Sequence, residues 1–276
     1  MRPVFFGLLL ILSINNAGLA APHARSRYLM GTLLEATLER PADAPALEEA
    51  FAEVARLEGV LSTYIKESEV SRLNAAAGSP ARAVSEDLWL ILAASSRAWA
   101  ASGGRFDPTF ASSPSARGFG RLGLDSGRRK VFLPLGARLD FGGIGKGYAL
   151  DAAAAVLRGR GVRRALLNFG GQAYALGRWD VEPPAGTLPL TDSSASTSGD
   201  AERPGHIVDP VTGASRRGPA TATVVLPSAT DADAWSTAVY LGGTAVLPRG
   251  FLGCALYVPR GGAQPDVFGH CPRRTP

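Results

Sequence analysis

Lysine, cysteine and histidine are all scarce in this chain, and each shortage narrows what it can be. Of 276 residues only Lys66, Lys130 and Lys146 are lysine, so the excess of Lys plus Arg over Asp plus Glu, 29 against 24, is carried by arginine. The arginines are spread in pairs such as Arg163-Arg164 and Arg216-Arg217 rather than gathered in one stripe. That pattern argues against a nucleic-acid track and for a solvated basic surface, which would still attract a small anion. There is no G-x-S-x-G elbow and no H-E-x-x-H, so serine-hydrolase and zinc-peptidase readings lack support. The 33 glycines and 20 prolines follow no three-residue repeat, and with 46% hydrophobic and 19% charged residues the chain is neither collagen-like nor disordered.

Long apolar runs are also missing. Only Val4–Ile14, eleven residues, comes close, and a bilayer span needs about 20. Arg2 precedes that run and Gly18-Leu19-Ala20 follows it, so small residues at −3 and −1 suit cleavage before Ala21. Residues 1–20 therefore read as an export signal, with 21–276 as a soluble, periplasmic mature chain without a transmembrane segment. No cysteine follows the run, which excludes a lipid anchor at the new N-terminus. The two cysteines, Cys254 and Cys271, either bridge, stapling the tail to the strand-like Leu252–Val258, or stay as two buried thiols.

Periodicity places an opening strand at Tyr28–Leu38 and a helix at Ala46–Leu61, with Leu47, Phe51, Val54, Leu57 and Leu61 on one stripe. Ser85 is set to cap a second helix whose first turn carries Glu86 and Asp87. A third helix spans Lys146–Arg160, followed by short strands at Arg164–Phe169 and Ala173–Leu176. Glu182–Gly205 is rich in Pro, Ser, Thr and Gly and reads as a loop. Thr221–Leu226 is a strand, Asp231–Leu241 a helix and Gly253–Val258 a final strand. Strands and helices mix without regular alternation and no linker divides the chain, so one α+β domain of mixed sheets and helices is expected.

Three segments can carry chemistry. Asp140-Phe141-Gly142-Gly143-Ile144-Gly145-Lys146-Gly147 enters a helix, and glycines there let backbone N–H groups approach an anion; a plain tight turn explains the glycines equally well. It is not a P-loop, since Asp140 stands where the first Gly should be and Gly147 where a Ser or Thr should hold the metal. Asp233 and Thr237, four apart on a helix, project a carboxylate and a hydroxyl from one face, hard donors suited to Mg²⁺ or Ca²⁺ if they are not simply a cap and a backbone-bonded threonine. His206 is the one histidine embedded in a structured motif, His206–Gly213. A structural hydrogen-bonding role competes there with a catalytic one.

Met30-Gly31-Thr32, Leu61–Tyr64 with Ser68–Asn74, Gly104–Thr109, Asp140–Asp151, Asn168–Gly171, Thr197–Asp200, His206–Gly213 and Ala232–Ala238 together resemble, in order, the ApbE family of FAD:protein FMN transferases. The resemblance implies an α+β fold, FAD as substrate, Mg²⁺, and transfer of FMN onto a Thr or Ser hydroxyl of an exported flavoprotein. It implies a metal held by Asp233, Thr237 and the main-chain carbonyl of Gly145. Met30 and Tyr64 would line the flavin pocket, with Asp140, Gly143, Lys146, Asp151, Gly170, Gly171, Ser198 and His206 about the nucleotide. His206 or Asp209 is the candidate base. Three departures stand out: Gln172 where the family commonly carries an acid, Arg117-Gly118-Phe119-Gly120 without the usual Trp, and a short Asp200–His206 loop. Two rival readings keep the flavin: an FAD pyrophosphatase giving FMN and AMP, and a flavin-binding protein without turnover.

Overall fold

The computed structural model describes residues 23–184, 186–200, 205–215, 220–261 and 264–272; the expected export segment, 1–20, lies outside them. Eight strands form one sheet in which every neighbouring pair is antiparallel: β1 (His23–Leu29), β2 (Thr32–Leu38), β6 (Ala165–Phe169), β7 (Gln172–Val181), β8 (Leu188–Gly199), β9 (Thr221–Leu226), β10 (Cys254–Val258) and β11 (Asp266–Gly269). Three short strands, β3 (Arg82–Ala83), β4 (Gly123–Asp125) and β5 (Lys130–Phe132), make a second sheet in the order β3-β5-β4. The helices are α1 (Ala44–Leu61), α2 (Glu69–Ala75), α3 (Glu86–Ala101), α4 (Gly145–Gly159) and α5 (Ala229–Gly242). This is the expected α+β class.

The helix faces follow from the apolar spacing. Leu47, Phe51, Val54 and Leu57 of α1 pack with Ala149, Leu150, Ala153 and Leu157 of α4 over Leu34, Leu38 and Phe169 of the sheet. Ala234, Trp235, Ala238 and Val239 of α5 join Ile91 and Leu92 of α3 and Ala222 and Val224 of β9 in a second core. Leu166, Ala175, Ala195, Val225 and Leu256 form a third, with Trp179 packed against it. Ser85 caps α3 as its sequence indicates, accepting from Leu88 N–H at 3.2 Å.

Four expectations change. The single strand Tyr28–Leu38 is a hairpin, because Met30 and Gly31 both take positive φ, 47° and 78°, in a two-residue turn between β1 and β2. The loop expected at Glu182–Gly205 contains β8, a central strand paired on both sides. Its Ser194 and Ser196 are buried but hydrogen-bonded, so polar composition does not prevent a core strand here. The strand at 254–258 is not the last, since β11 pairs with it. Helix α2 follows the Ser68 cap, a seven-residue element too short for periodicity to reveal. Cys254 and Cys271 are bridged, which settles the pairing left open by their spacing.

Candidate active site

The glycine segment ends β5's long connection and turns directly into α4. Asp140 Oδ1 accepts from Gly142 N–H at 2.9 Å, and Asn74 brackets Leu139 through its carbonyl and its amide, each at 2.8 Å. These contacts fix the loop before the helix begins. Helix α5 lies against the same turn. Its N-terminus is held by the Asp151 carboxylate, which accepts from Ser228 Oγ, Ala229 N–H, Thr230 N–H and Thr230 Oγ1 at 3.0, 2.8, 2.9 and 2.6 Å. A carboxylate among the free amides of a helix start is favoured by both hydrogen bonding and the helix dipole.

That docking brings the two sequence signals together. Gly147 N–H donates to Asp233 Oδ2 at 3.0 Å, and Lys146 Nζ stands 3.8 Å from the same oxygen. A β-carbon placed on Gly143 would lie 2.9 Å from Thr237 Oγ1 and 3.6 Å from Phe106 Cε2, so the loop approaches the hydroxyl too closely to admit a side chain there. Gly145, the first residue of α4, has Met30 Cε and Phe141 Cβ as its neighbours, each 3.6 Å from where its β-carbon would be. Gly170 packs on Thr32 and on the Lys146 stem. Gly171 accepts from Thr197 N–H at 3.0 Å, and Ser198 Oγ is 3.4 Å from Thr237 Oγ1. Met30, Gly143, Gly145, Lys146, Gly170, Ser198, Asp233 and Thr237 thus form one connected cluster at the start of α4.

Asp233 is only 3% exposed, and burial raises its pKa against the opposing pull of Lys146, the Gly147 and Lys146 amides and the Ser196 hydroxyl. A buried carboxylate held this way favours an added cation. Among the described residues no three His, Cys, Asp or Glu side chains converge, which excludes a zinc-type cluster there. One carboxylate, one hydroxyl and nearby main-chain carbonyls are instead the hard oxygen donors that Mg²⁺ takes, so the residues present fit that ion.

The remaining expected residues lie farther out. Tyr64, 95% exposed, lines a groove of about 800 Å³ together with Lys66, Arg72, Leu135 and Arg138, two residues before Asp140. His206 is exposed at the start of a loop in which Asp209 accepts from Val211 N–H at 2.8 Å and pairs with Arg105 Nη1 at 2.9 Å. Arg105 adjoins Phe106, the residue facing Gly143, so this ion pair ties the histidine loop to the cluster.

A model of the ApbE family matches residues 30–249. The chain belongs to that family. Over 283 aligned residues it is 28% identical to the FAD:protein FMN transferase of Treponema pallidum (strain Nichols), covering 79% of this chain and 78% of that one. Its fold matches the apo crystal structure of Pseudomonas stutzeri flavinyl transferase ApbE with a TM-score of 0.79 at 24% identity, over 92% of this chain and 96% of that one. The ApbE protein of Thermotoga maritima gives 0.77 at 23% identity, over 90% and 97%.

Several site residues were not legible beforehand. Ser196 and Ser236 are absent from the sequence-based set, although Ser194, Ser196 and Ser198 alternate with period two, the signal of one strand face. Gln172, the departure from the family pattern, is buried, and its amide donates to Ala229 carbonyl at 2.8 Å and Ser194 Oγ at 3.0 Å. It therefore bears on how α5 docks. Gln172→Glu removes both donors and sets an ionised group against a carbonyl, so the variant should lose about 1–3 kcal/mol in urea unfolding at pH 7. Unchanged or increased stability would show that the pocket accepts a carboxylate.

Proposed function

We propose that this ApbE-family chain transfers FMN from FAD onto a Thr or Ser hydroxyl of an exported flavoprotein and releases AMP. One observation carries the reading: Asp233 and Thr237, one turn apart on α5, are packed against the glycine turn at the start of α4, with Gly147 N–H on the Asp233 carboxylate. Asp233, Thr237 and a loop carbonyl, Gly145 by resemblance, would hold Mg²⁺. Bound there, the ion would neutralise diphosphate charge that otherwise repels a nucleophile.

The protein's own groups supply the rest. Lys146 and the amides of the α4 start place positive potential beside the same diphosphate. The acceptor hydroxyl oxygen bonds to the FMN phosphorus as the phosphorus–oxygen bond to AMP breaks, and the hydroxyl proton passes to a base. His206 and Asp209, which share the loop tied to the cluster through Arg105, are the candidate bases. Met30 and Tyr64 are the flavin-facing pair in this reading. The apolar leader, together with the Cys254–Cys271 bridge, supports a periplasmic site of action, soluble once residues 1–20 are removed. No helix among the described residues is long and apolar enough to cross a membrane.

Incubating the protein with FAD, Mg²⁺ and a candidate exported flavoprotein tests the proposal. Flavin fluorescence on the denatured acceptor, with AMP released in equal amount, is the expected result. Free FMN plus AMP without acceptor labelling would make the chain a pyrophosphatase, and unchanged FAD would make it a binding protein.

A further inference from the structure

Behind the cluster runs a row of hydroxyls that neither the family match nor the sequence reading explains. Ser236 is fully buried on α5, and its Oγ lies 2.8 Å from Ser198 Oγ and 3.1 Å from Ser196 Oγ, both on β8. It also donates to the Asp233 carbonyl at 2.9 Å. Ser198 Oγ in turn stands 3.4 Å from Thr237 Oγ1. One serine thus holds the Asp233 carbonyl and, by way of a neighbouring strand, reaches the Thr237 hydroxyl.

Each hydroxyl has one proton to give, and this limits the direction of the row. Ser236 spends its proton on the Asp233 carbonyl, so Ser196 is the donor in the contact between the two serines. Ser198 then donates to Ser236, leaving its lone pairs to accept from Thr237. A threonine whose proton is drawn backwards offers the cleft its oxygen lone pairs, the form a cation needs. Thr237 Oγ1 also lies 3.4 Å from the Asp233 carbonyl, a second acceptor for its proton. With Ser236 gone, Ser198 has no acceptor behind it and turns its own proton onto Thr237 Oγ1, taking a lone pair that the cation needs.

We propose that Ser236 is a positioning residue whose hydroxyl, through Ser198, orients Thr237 as an acceptor for a divalent cation. The inference rests on reading Asp233 and Thr237 as the cation's ligands. Its test uses Mn²⁺ as the probe, followed by the electron paramagnetic resonance of free ion, on the whole protein without flavin and with Mg²⁺ as competitor. Ser236→Ala should weaken Mn²⁺ binding about five- to tenfold, the equivalent of one hydrogen bond. FAD affinity without metal, from quenching of flavin fluorescence, should stay within about twofold. Ser198→Ala, at a partly exposed strand position, should give the same weakening of Mn²⁺ binding and covers the case in which the buried variant does not fold. Because Ser198 is also placed about the nucleotide, the FAD comparison is made on Ser236→Ala alone. Equal Mn²⁺ affinity in wild type and in either folded variant overturns the proposal. Parallel losses of Mn²⁺ and FAD binding would make Ser236 a general structural residue and overturn it too. A wild type that binds no Mn²⁺ would remove the cation reading itself, whereas Mn²⁺ binding without any flavin transfer would remove only the proposed reaction.

Discussion

Asp233→Asn is expected to lower metal-dependent flavin transfer by at least about a hundredfold, the loss typical when a preorganised electrostatic group is taken from a reacting centre. The folded protein should be no less stable than wild type. Asparagine has the size of aspartate and keeps an oxygen to accept from Gly147 N–H, now at 3.0 Å from Asp233 Oδ2. What it removes is a charge that the fold holds at a disadvantage. Burial raises the Asp233 pKa, so the folded state favours the protonated acid more than the unfolded chain does. The sign follows: near neutral pH, where the unfolded chain carries the ionised group, this carboxylate subtracts from stability, and a neutral replacement relieves the penalty. Loss of transfer with an unchanged or raised thermal midpoint at pH 7 would mark Asp233 as kept for chemistry. A large fall in the midpoint would mark it as structural, and full transfer by the variant would end the metal assignment. Calorimetry and the acceptor-labelling assay together separate these results.

Local rules made much of this fold legible. The α1 stripe and the Ser85 cap depend on residues within one or two turns of each other, and both stand as the spacing indicates. The failures share a different cause. Strand β8 is stabilised by partners distant in the chain, Ser236 for its serines and Thr223 for Thr197, so its polar composition carried no visible pattern of burial. The β1–β2 turn was hidden because Met30 occupies a left-handed conformation more often given to Gly or Asn. Met30 N–H is held there by Glu58 Oε1 at 2.9 Å, a contact across 28 residues. The site behaves the same way. Asp233 with Thr237 and the glycine turn were each readable as local motifs, and neither indicated that Gly147 would be the point of contact.

Gly147→Ala puts that contact to its strictest test. In an exposed helix the exchange would stabilise by about 0.5–1 kcal/mol, since alanine loses less backbone entropy than glycine. Here the added β-carbon would stand 2.2 Å from the Ala229 carbonyl oxygen, 2.7 Å from its carbon and 2.9 Å from Asp233 Cβ. Two of those atoms are backbone, and the Ala229 carbonyl also accepts from Gln172, so no side-chain rotation opens the space. Helix α5 must move away from α4, and overpacking of this kind costs about 1–3 kcal/mol, enough to outweigh the helix gain. The shift separates Asp233 and Thr237 from the loop they serve, and a displacement near 1 Å is sufficient to reduce a rate about a hundredfold. The variant should therefore lose transfer together with several degrees of thermal midpoint, unlike Asp233→Asn, which loses transfer alone. Gly159→Ala supplies the comparison: it lies at the far end of the same helix, with nothing within 4 Å of the new carbon. That variant should keep full transfer and equal or greater stability. Wild-type transfer by Gly147→Ala would mean that the two helix ends need not touch, and the geometry on which the reaction is built would fall with it.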